Sequence, residues 1–141
     1  MITIYLWSPP GKTADSGETF GHISMELLDE TYISFWPSED IVKARSQKSQ
    51  INSYDDDEES YGRHADKSLG IPDGKLNEDK IRSWWKKNKN REYNLVFNNC
   101  ASAIVNALKA GGYGGILIGI YTPDELYTTV YNYYNPKCIL I

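Results

Sequence analysis

Cys100 and His22 are the two side chains of this 141-residue chain best suited to covalent chemistry. Cys100 stands at the start of a predicted helix, where open backbone N–H groups and the positive end of the helix dipole favour a thiolate over a thiol. His22 opens a predicted strand, from which an imidazole can face a helix N-terminus and exchange a proton with the thiol. The pair predicts a cysteine nucleophile with a histidine base.

Both residues also have ordinary structural interpretations. A cysteine beneath a helix can be no more than a small buried hydrophobe, and a histidine at the start of a strand can be half exposed without a role. His64 lies in a charged segment and is expected to be solvated, but it is the reserve candidate for the base. The two cysteines, Cys100 and Cys138, also allow one disulfide in an oxidising compartment.

Neighbouring polar residues supply candidates for the supporting roles. Asn98 and Asn99 directly precede the cysteine, where they would cap the helix or add a donor to an oxyanion hole. The second ring nitrogen of the base needs a polar partner. The candidates for that partner are Ser34, Glu26 and Ser38. Serine carries no charge, while Glu26 is electrostatically better but lies further along the strand.

The elements that must position these residues begin with three predicted strands. Alternating side chains predict strands at 2–7, 21–27 and 32–36, and the last two form a β-hairpin. Segment 38–74 is polar and rich in glycine and charge, so it is expected to be a long loop that borders or covers the site. The longest acidic run of the chain, 55–59, lies in this segment.

Three helices are predicted in the second half of the chain. The first begins after its cap Asn77, the second runs over 100–108 after a short extended segment at 93–97, and the third begins with a capping box at 122–125. The glycine-rich segment 114–120 is expected to be a buried loop or strand. The apolar positions expected to pack on the first two helices are Ile81, Trp84, Trp85, Ala103, Ile104, Ala107 and Leu108.

This order of elements predicts one α+β domain over 1–141, in which a small antiparallel sheet packs against helices. The net charge of -4 and the lack of a basic stripe argue against nucleic acid as a partner. No stretch reaches the ~18 apolar residues of a membrane span, and the N-terminus does not read as a secretory signal. A soluble protein is therefore expected.

Three segments, 21–27, 32–37 and 93–100, together resemble the circularly permuted branch of the NlpC/P60 papain-like superfamily, which includes lecithin–retinol acyltransferase-like proteins. In that branch the histidine strand precedes the cysteine helix. The resemblance covers more than half of the chain and implies a papain-like core, with Cys100 as nucleophile and His22 as base. Ser34 falls where the family usually has His, Asn or Gln, so it ranks first as the partner of the base, although serine departs from the pattern.

The resemblance implies a cysteine hydrolase (peptidase or amidase) or acyltransferase that acts on an amide or ester bond without a metal or cofactor. Its implied substrates are peptides, proteins or acyl lipids. Because the likeness is strongest to bacterial proteins, it also implies an effector or toxin made in the bacterial cytoplasm and delivered to a target cell. The alternative is a catalytically silent protein-interaction domain on the same fold, which would use the tyrosine-rich C-terminal region.

Cys138 introduces a second signal at the end of the sequence. With the three apolar residues after it, this cysteine matches a prenylation motif, which would anchor the protein to a membrane in a eukaryotic host. The usual polybasic cluster upstream is missing. A terminal apolar strand explains the same residues and is the preferred interpretation.

Overall fold

The protein is described by a computed structural model over residues 1–9, 21–37, 49–92 and 99–136. The described residues form six strands and four helices. The strands are β1 (Ile2–Trp7), β2 (His22–Glu26), β3 (Tyr32–Ile33), β4 (Phe35–Pro37), β5 (Ser49–Ile51) and β6 (Lys67–Ile71). The helices are α1 (Tyr54–Tyr61), α2 (Glu78–Asn88), α3 (Cys100–Ala110) and α4 (Pro123–Tyr134).

The main sheet has four antiparallel strands in the order β3-β2-β1-β6. A second sheet contains only β4 and β5. The predicted α+β class with a small antiparallel sheet is therefore confirmed. The predictions for segment 93–97, Ser38, Asn98 and Cys138 lie outside the described residues.

The predicted strand 32–36 is divided at Ser34. Its first part, β3, pairs with β2, whereas its second part, β4, leaves the main sheet and pairs with β5. Ser34 lies between them, fully buried. The chain therefore passes from one sheet to the other at a polar residue.

The prediction of a long loop over 38–74 is wrong for its described part, which contains β5, α1 and β6. Helix α1 begins with a capping box in which Ser53 and Asp56 bond each other's backbone N–H groups, and it ends at Gly62 with φ 71°. Only Asp57 and Tyr61 of this helix are buried. A helix with so narrow a buried face has little apolar periodicity, which explains why the pattern resembled a loop.

The main core lies between the sheet and three helices. Helix α3 packs on β2, α4 packs on β1 and β2, and α2 packs on α3. Of the positions predicted to be apolar contacts on α2 and α3, all are buried except Trp84, which packs on the core partly buried. Each fully buried aliphatic side chain contributes roughly 1.5–3 kcal/mol to folding. None of the described helices is both long and apolar enough to cross a lipid bilayer.

Segment 114–120 does not form the predicted buried strand or buried loop. Leu117 is buried, but Ile116, Ile118 and Ile120 are 79%, 77% and 66% exposed. The segment is an irregular connection between α3 and α4. Alternate residues point away from the core here, so the apolar composition did not indicate burial.

Candidate active site

Cys100 is the first residue of α3, and its thiol is free and 8% exposed. The helix begins here because Asn99 caps it. The Asn99 side chain accepts a hydrogen bond from the Ser102 N–H at 2.9 Å, and the Ser102 hydroxyl accepts one from the Asn99 N–H at 2.7 Å. The predicted capping role of Asn99 is confirmed. The thiol is thus held at the positive end of an ordered helix.

His22 is the first residue of β2, opposite Trp7 of β1, and only 1% of it is exposed. Gly21 makes this placement possible. Its φ is +83°, and a Cβ at this position would lie 2.8 Å from the Trp7 carbonyl oxygen. The interpretation of His22 as a half-exposed strand residue is therefore wrong, because the imidazole is enclosed by protein.

Within the described part of the chain, three polar side chains contact the imidazole of His22. Its Nε2 lies 2.9 Å from the Ser34 hydroxyl and 3.1 Å from Oδ2 of Asp57. The Cys100 side chain also interacts with the ring. The structure therefore brings together the three residues expected at the site, Cys100, His22 and Ser34, and adds a carboxylate.

Asp57 is a fully buried carboxylate on α1 that accepts hydrogen bonds from four side chains of the described residues besides His22. The donors are the Tyr32 hydroxyl at 2.6 Å, Trp36 Nε1 at 2.7 Å, the Ser34 hydroxyl at 2.8 Å and Asn52 Nδ2 at 3.1 Å. A buried charge without such partners would be very costly. These donors come from β3, β4 and the segments beside them, so strands of both sheets and helix α1 together build the pocket of the carboxylate.

The buried charges shift one another's protonation. Burial alone would lower the pKa of His22, but the charge and hydrogen bond of Asp57 and the Cys100 side chain raise that pKa to about 10. Burial alone would raise the pKa of Asp57, but the His22 charge and the hydrogen bonds from His22, Tyr32 and Trp36 lower it. At neutral pH the pair is thus an imidazolium beside a carboxylate.

Aromatic rings enclose the other surfaces of the imidazole. Trp36 stacks on His22 with ring centroids 4.4 Å apart and an interplanar angle of 26°. Trp7 and Tyr61 lie at 5.9 Å and 6.4 Å. Trp7, Trp36 and Tyr61 form an aromatic cluster separate from the main core. The cluster keeps water away from the faces of the imidazole that these rings cover and strengthens the interaction of the imidazole with the carboxylate.

The other candidates for the base and its partner lie elsewhere. Glu26, at the far end of β2, accepts a hydrogen bond from the Tyr5 hydroxyl at 3.2 Å. The His64 side chain is 91% exposed and contacts Glu58, so the prediction that it is solvated is confirmed. Neither of these side chains contacts the described site.

Asp57 is the site residue that the sequence patterns did not identify. It stands in the acidic run 55–59, whose composition suggested solvent exposure. One signal was present: Ser53 and Asp56 have the spacing of a helix-opening capping box. Asp57 and Tyr61 are four residues apart, so a helix over this segment places both side chains on the same face. Sequence spacing still could not indicate that this face meets His22.

The described residues include no group of three or more His, Cys, Asp or Glu side chains arranged to hold a metal ion. The polar groups around His22 instead bond one another. Comparisons with known proteins returned nothing: no protein-family model, no curated protein and no solved structure matches this chain.

Proposed function

We propose that the protein is a cysteine hydrolase or acyltransferase that acts on an amide or ester bond, with Cys100 as nucleophile and His22 as its acid and base. The observation that carries the proposal is the buried imidazole between the Cys100 side chain and the Asp57 carboxylate. Asp57 and Ser34 act as orienting residues on Nε2. The resemblance to permuted NlpC/P60-like proteins supports the same assignment and a papain-like arrangement of the core.

The first chemical step is acylation of the thiolate. Since Nε2 is engaged by Asp57 and Ser34, Nδ1 is the nitrogen that exchanges a proton with the sulfur. The imidazolium favours the thiolate, which attacks the carbonyl carbon of the substrate. The tetrahedral intermediate then collapses to a thioester. The leaving amine or alkoxide departs with the proton given up by His22, which becomes neutral.

The second step releases the acyl group. Neutral His22 takes a proton from water in hydrolysis, or from another hydroxyl or amine in transfer. The resulting nucleophile attacks the thioester carbon and expels the Cys100 thiolate. The imidazolium, the thiolate and the carboxylate are thereby restored. Asp57 keeps its negative charge throughout and holds the ring in one orientation.

Oxyanion stabilisation is assigned to the first turn of α3. The Asn99 side chain accepts a hydrogen bond from the Ser102 N–H, and the Asn99 backbone carbonyl accepts one from the Ala103 N–H. The backbone N–H groups of Cys100 and Ala101 are therefore the candidate donors to the developing oxyanion. In this assignment Asn99 acts as a cap, and Asn98 remains a candidate second support.

Peptides, proteins and acyl lipids remain the proposed substrates. All three substrate classes contain a carbonyl that a thiolate can attack, so the chemistry of the site is compatible with each of them. The proposed biological setting is a bacterial effector or toxin that acts in a target cell, and it rests on the resemblance alone.

The test of this function is the rate of Cys100 alkylation measured against pH. Every protein carries Cys138→Ser, so that Cys100 is the only thiol that can be alkylated. We expect rapid labelling at about pH 6 in the parent protein. His22→Ala and Asp57→Asn should each slow that labelling at least about tenfold, because the imidazolium charge beside the sulfur is lost or weakened. Fast labelling would then justify a screen of peptides, proteins and acyl lipids.

Asp55→Asn is the matched control, since it removes an exposed carboxylate from the same helix. It should leave the labelling rate unchanged. Slow labelling in all four proteins, with the same midpoint near the pKa of ~8.5 of an ordinary thiol, would rule out the proposed enzymatic function.

A second candidate function, a catalytically silent protein-interaction domain, is favoured by one observation. Three isoleucines of the α3–α4 connection and the α4 residues Tyr131 and Tyr133 are exposed, and exposed apolar groups of this kind mark binding surfaces. Expression in a target cell distinguishes the two functions. If the protein is an enzyme, its effect on the target cell should be lost in Cys100→Ser and kept in Ile118→Ser. If it is an interaction domain, the opposite result is expected.

A further inference from the structure

Trp36 makes two different contacts within the candidate site. Its indole face lies over the His22 ring at 4.4 Å, and its Nε1–H donates to Oδ1 of Asp57 at 2.7 Å. Trp36 is 7% exposed and stands on β4, directly after the point where the chain leaves the main sheet. One side chain thus touches both members of the buried ion pair.

We propose that Trp36 is a positioning residue that fixes the plane of the His22 ring and the orientation of the Asp57 carboxylate relative to one another. The inference rests on the proposed function for its catalytic meaning. Its physical content is independent, because it concerns only how the ion pair is held.

The ring contact favours the charged state of His22. A cation over an aromatic face is attracted by the negative potential of that face, and tryptophan is the most effective partner. The nearly parallel stacking also restricts rotation of the imidazole. A ring that turned away would lose this contact and would move Nε2 away from Asp57.

The hydrogen bond from Trp36 Nε1–H goes to one oxygen of Asp57, Oδ1, and not to the oxygen that lies against His22. Oδ1 accepts from Trp36 and Asn52, whereas Oδ2 accepts from Tyr32 and lies 3.1 Å from His22. The Ser34 hydroxyl lies within hydrogen-bond distance of both oxygens, at 3.0 Å and 2.8 Å. With Oδ1 held by donors on other elements, Oδ2 is directed at the imidazole. Trp36 therefore acts on the base both directly and through the carboxylate.

Among the described residues, the titratable side chains that contact the imidazole come from two helices, and Tyr32 of β3 donates to the oxygen of Asp57 that lies nearest the ring. Asp57 and Tyr61 belong to α1, and Cys100 belongs to α3. On the sheet side, Trp7 and Trp36 carry no titratable group. A change in the titration of His22 caused by a Trp36 substitution can therefore be assigned to the ring contact and to the position of Asp57.

The test uses three variants in a Cys138→Ser, His64→Gln protein. This background leaves a single histidine, because the chain has two. Trp36→Phe keeps an aromatic face but loses the N–H donor. Trp36→Leu loses both contacts. Tyr32→Phe is the matched control, because it removes a different donor to Asp57 without changing the ring over His22.

Two quantities are measured: the titration midpoint of His22 by NMR and the alkylation rate of Cys100 at about pH 6. Trp36→Leu should lower the midpoint by about one pH unit, a tenfold change in the protonation equilibrium. Trp36→Phe should resemble Tyr32→Phe, with a smaller fall. The alkylation rate should decrease in the same order.

A midpoint and an alkylation rate that are unchanged in folded Trp36→Leu would overturn the proposal. If that variant does not fold, the same two values unchanged in Trp36→Phe would overturn it. Should the parent Cys100 prove unreactive, the proposed function fails, but the NMR midpoints still decide whether Trp36 positions the imidazole.

Discussion

At the scale of single residues, His22 and Asp57 depend on each other because neither reaches solvent. Their exposed fractions are 1% and 0%, and the desolvation of each charge is compensated mainly by the other. The pair of Arg82 and Asp29 is different. Hydrogen bonds from Arg82 and Thr31 lower the pKa of Asp29 to about 2, yet the side chains of Arg82 and Asp29 are partly exposed and solvent screens their attraction. Removing one partner of the buried pair costs about 3–5 kcal/mol.

This buried pair predicts how stability depends on pH. The raised pKa of His22 gives stability that is complete below its unfolded value of about 6.5 and is lost by about pH 10. The lowered pKa of Asp57 gives stability that is present above 3.8 and is lost as pH falls through the lower folded value. The contribution of the pair is therefore largest between about pH 4 and 6.5.

We expect the free energy of unfolding of a Cys100→Ser protein to decrease as the pH rises above about 6.5, by up to about 1.4 kcal/mol per pH unit. The decrease should end below about pH 10, because the Cys100 side chain that helps to raise the pKa of His22 is absent. Urea unfolding at several pH values measures this slope. A further His22→Gln substitution should flatten it, and His64→Gln should not, because the His64 side chain is exposed. Parallel curves for the His22→Gln protein and its parent would contradict the prediction.

At the scale of elements, the geometry of the site depends on where β2 begins. Gly21 allows the chain to enter this strand with positive φ, immediately beside the Trp7 carbonyl. Because His22 follows at once, any shift of Gly21 moves the imidazole relative to α1 and α3. The same element boundary thus determines the register of β1 with β2 and the position of the base.

Gly21→Ala tests this dependence, with Gly74→Ala as its control. Both glycines have positive φ, +83° and +84°, but a Cβ at Gly74 meets nothing within 4 Å. Gly74→Ala should lose only the ~1–2 kcal/mol that a side chain costs in this conformation. Gly21→Ala adds a backbone clash, so it should be less stable by urea unfolding and should label more slowly at Cys100. Equal effects of the two substitutions on both measurements would contradict this account.

At the scale of the whole molecule, the site lies where two apolar clusters approach each other. Cys100 belongs to the main core with α3, whereas His22 contacts the aromatic cluster of Trp7, Trp36 and Tyr61. The thiol and the imidazole are thus carried by different parts of the structure. The packing of α3 against β2 brings those parts together, so the site requires the folded tertiary structure.

The α3–α4 connection offers a prediction at the same scale. Leu117 is 4% exposed and belongs to the main core, while its neighbour Ile118 is 77% exposed. Leu117→Ala should lower the free energy of unfolding by about 2–4 kcal/mol. Ile118→Ala should change it by less than about 0.5 kcal/mol. Thermal unfolding of the two variants measures these changes. A large decrease in the stability of Ile118→Ala would show that this side chain is covered in solution.

Local rules were sufficient for much of the fold and for part of the site. Alternation predicted β1 and β2, and capping residues predicted the starts of α2, α3 and α4. The same local patterns placed Cys100 at a helix N-terminus and His22 at a strand start. Capping and alternation involve residues within about one turn or one strand, so the sequence carries them directly.

Tertiary structure decided what the imidazole meets. Asp57 is 35 residues from His22 along the chain, in a run whose composition suggested solvent, and its burial depends on donors from three other segments. The division of 32–36 at Ser34 and the exposure of Ile118 likewise follow from what packs beside them. Such contacts join residues far apart in sequence and have no period, so local patterns can identify the reacting groups but not the charge that holds them.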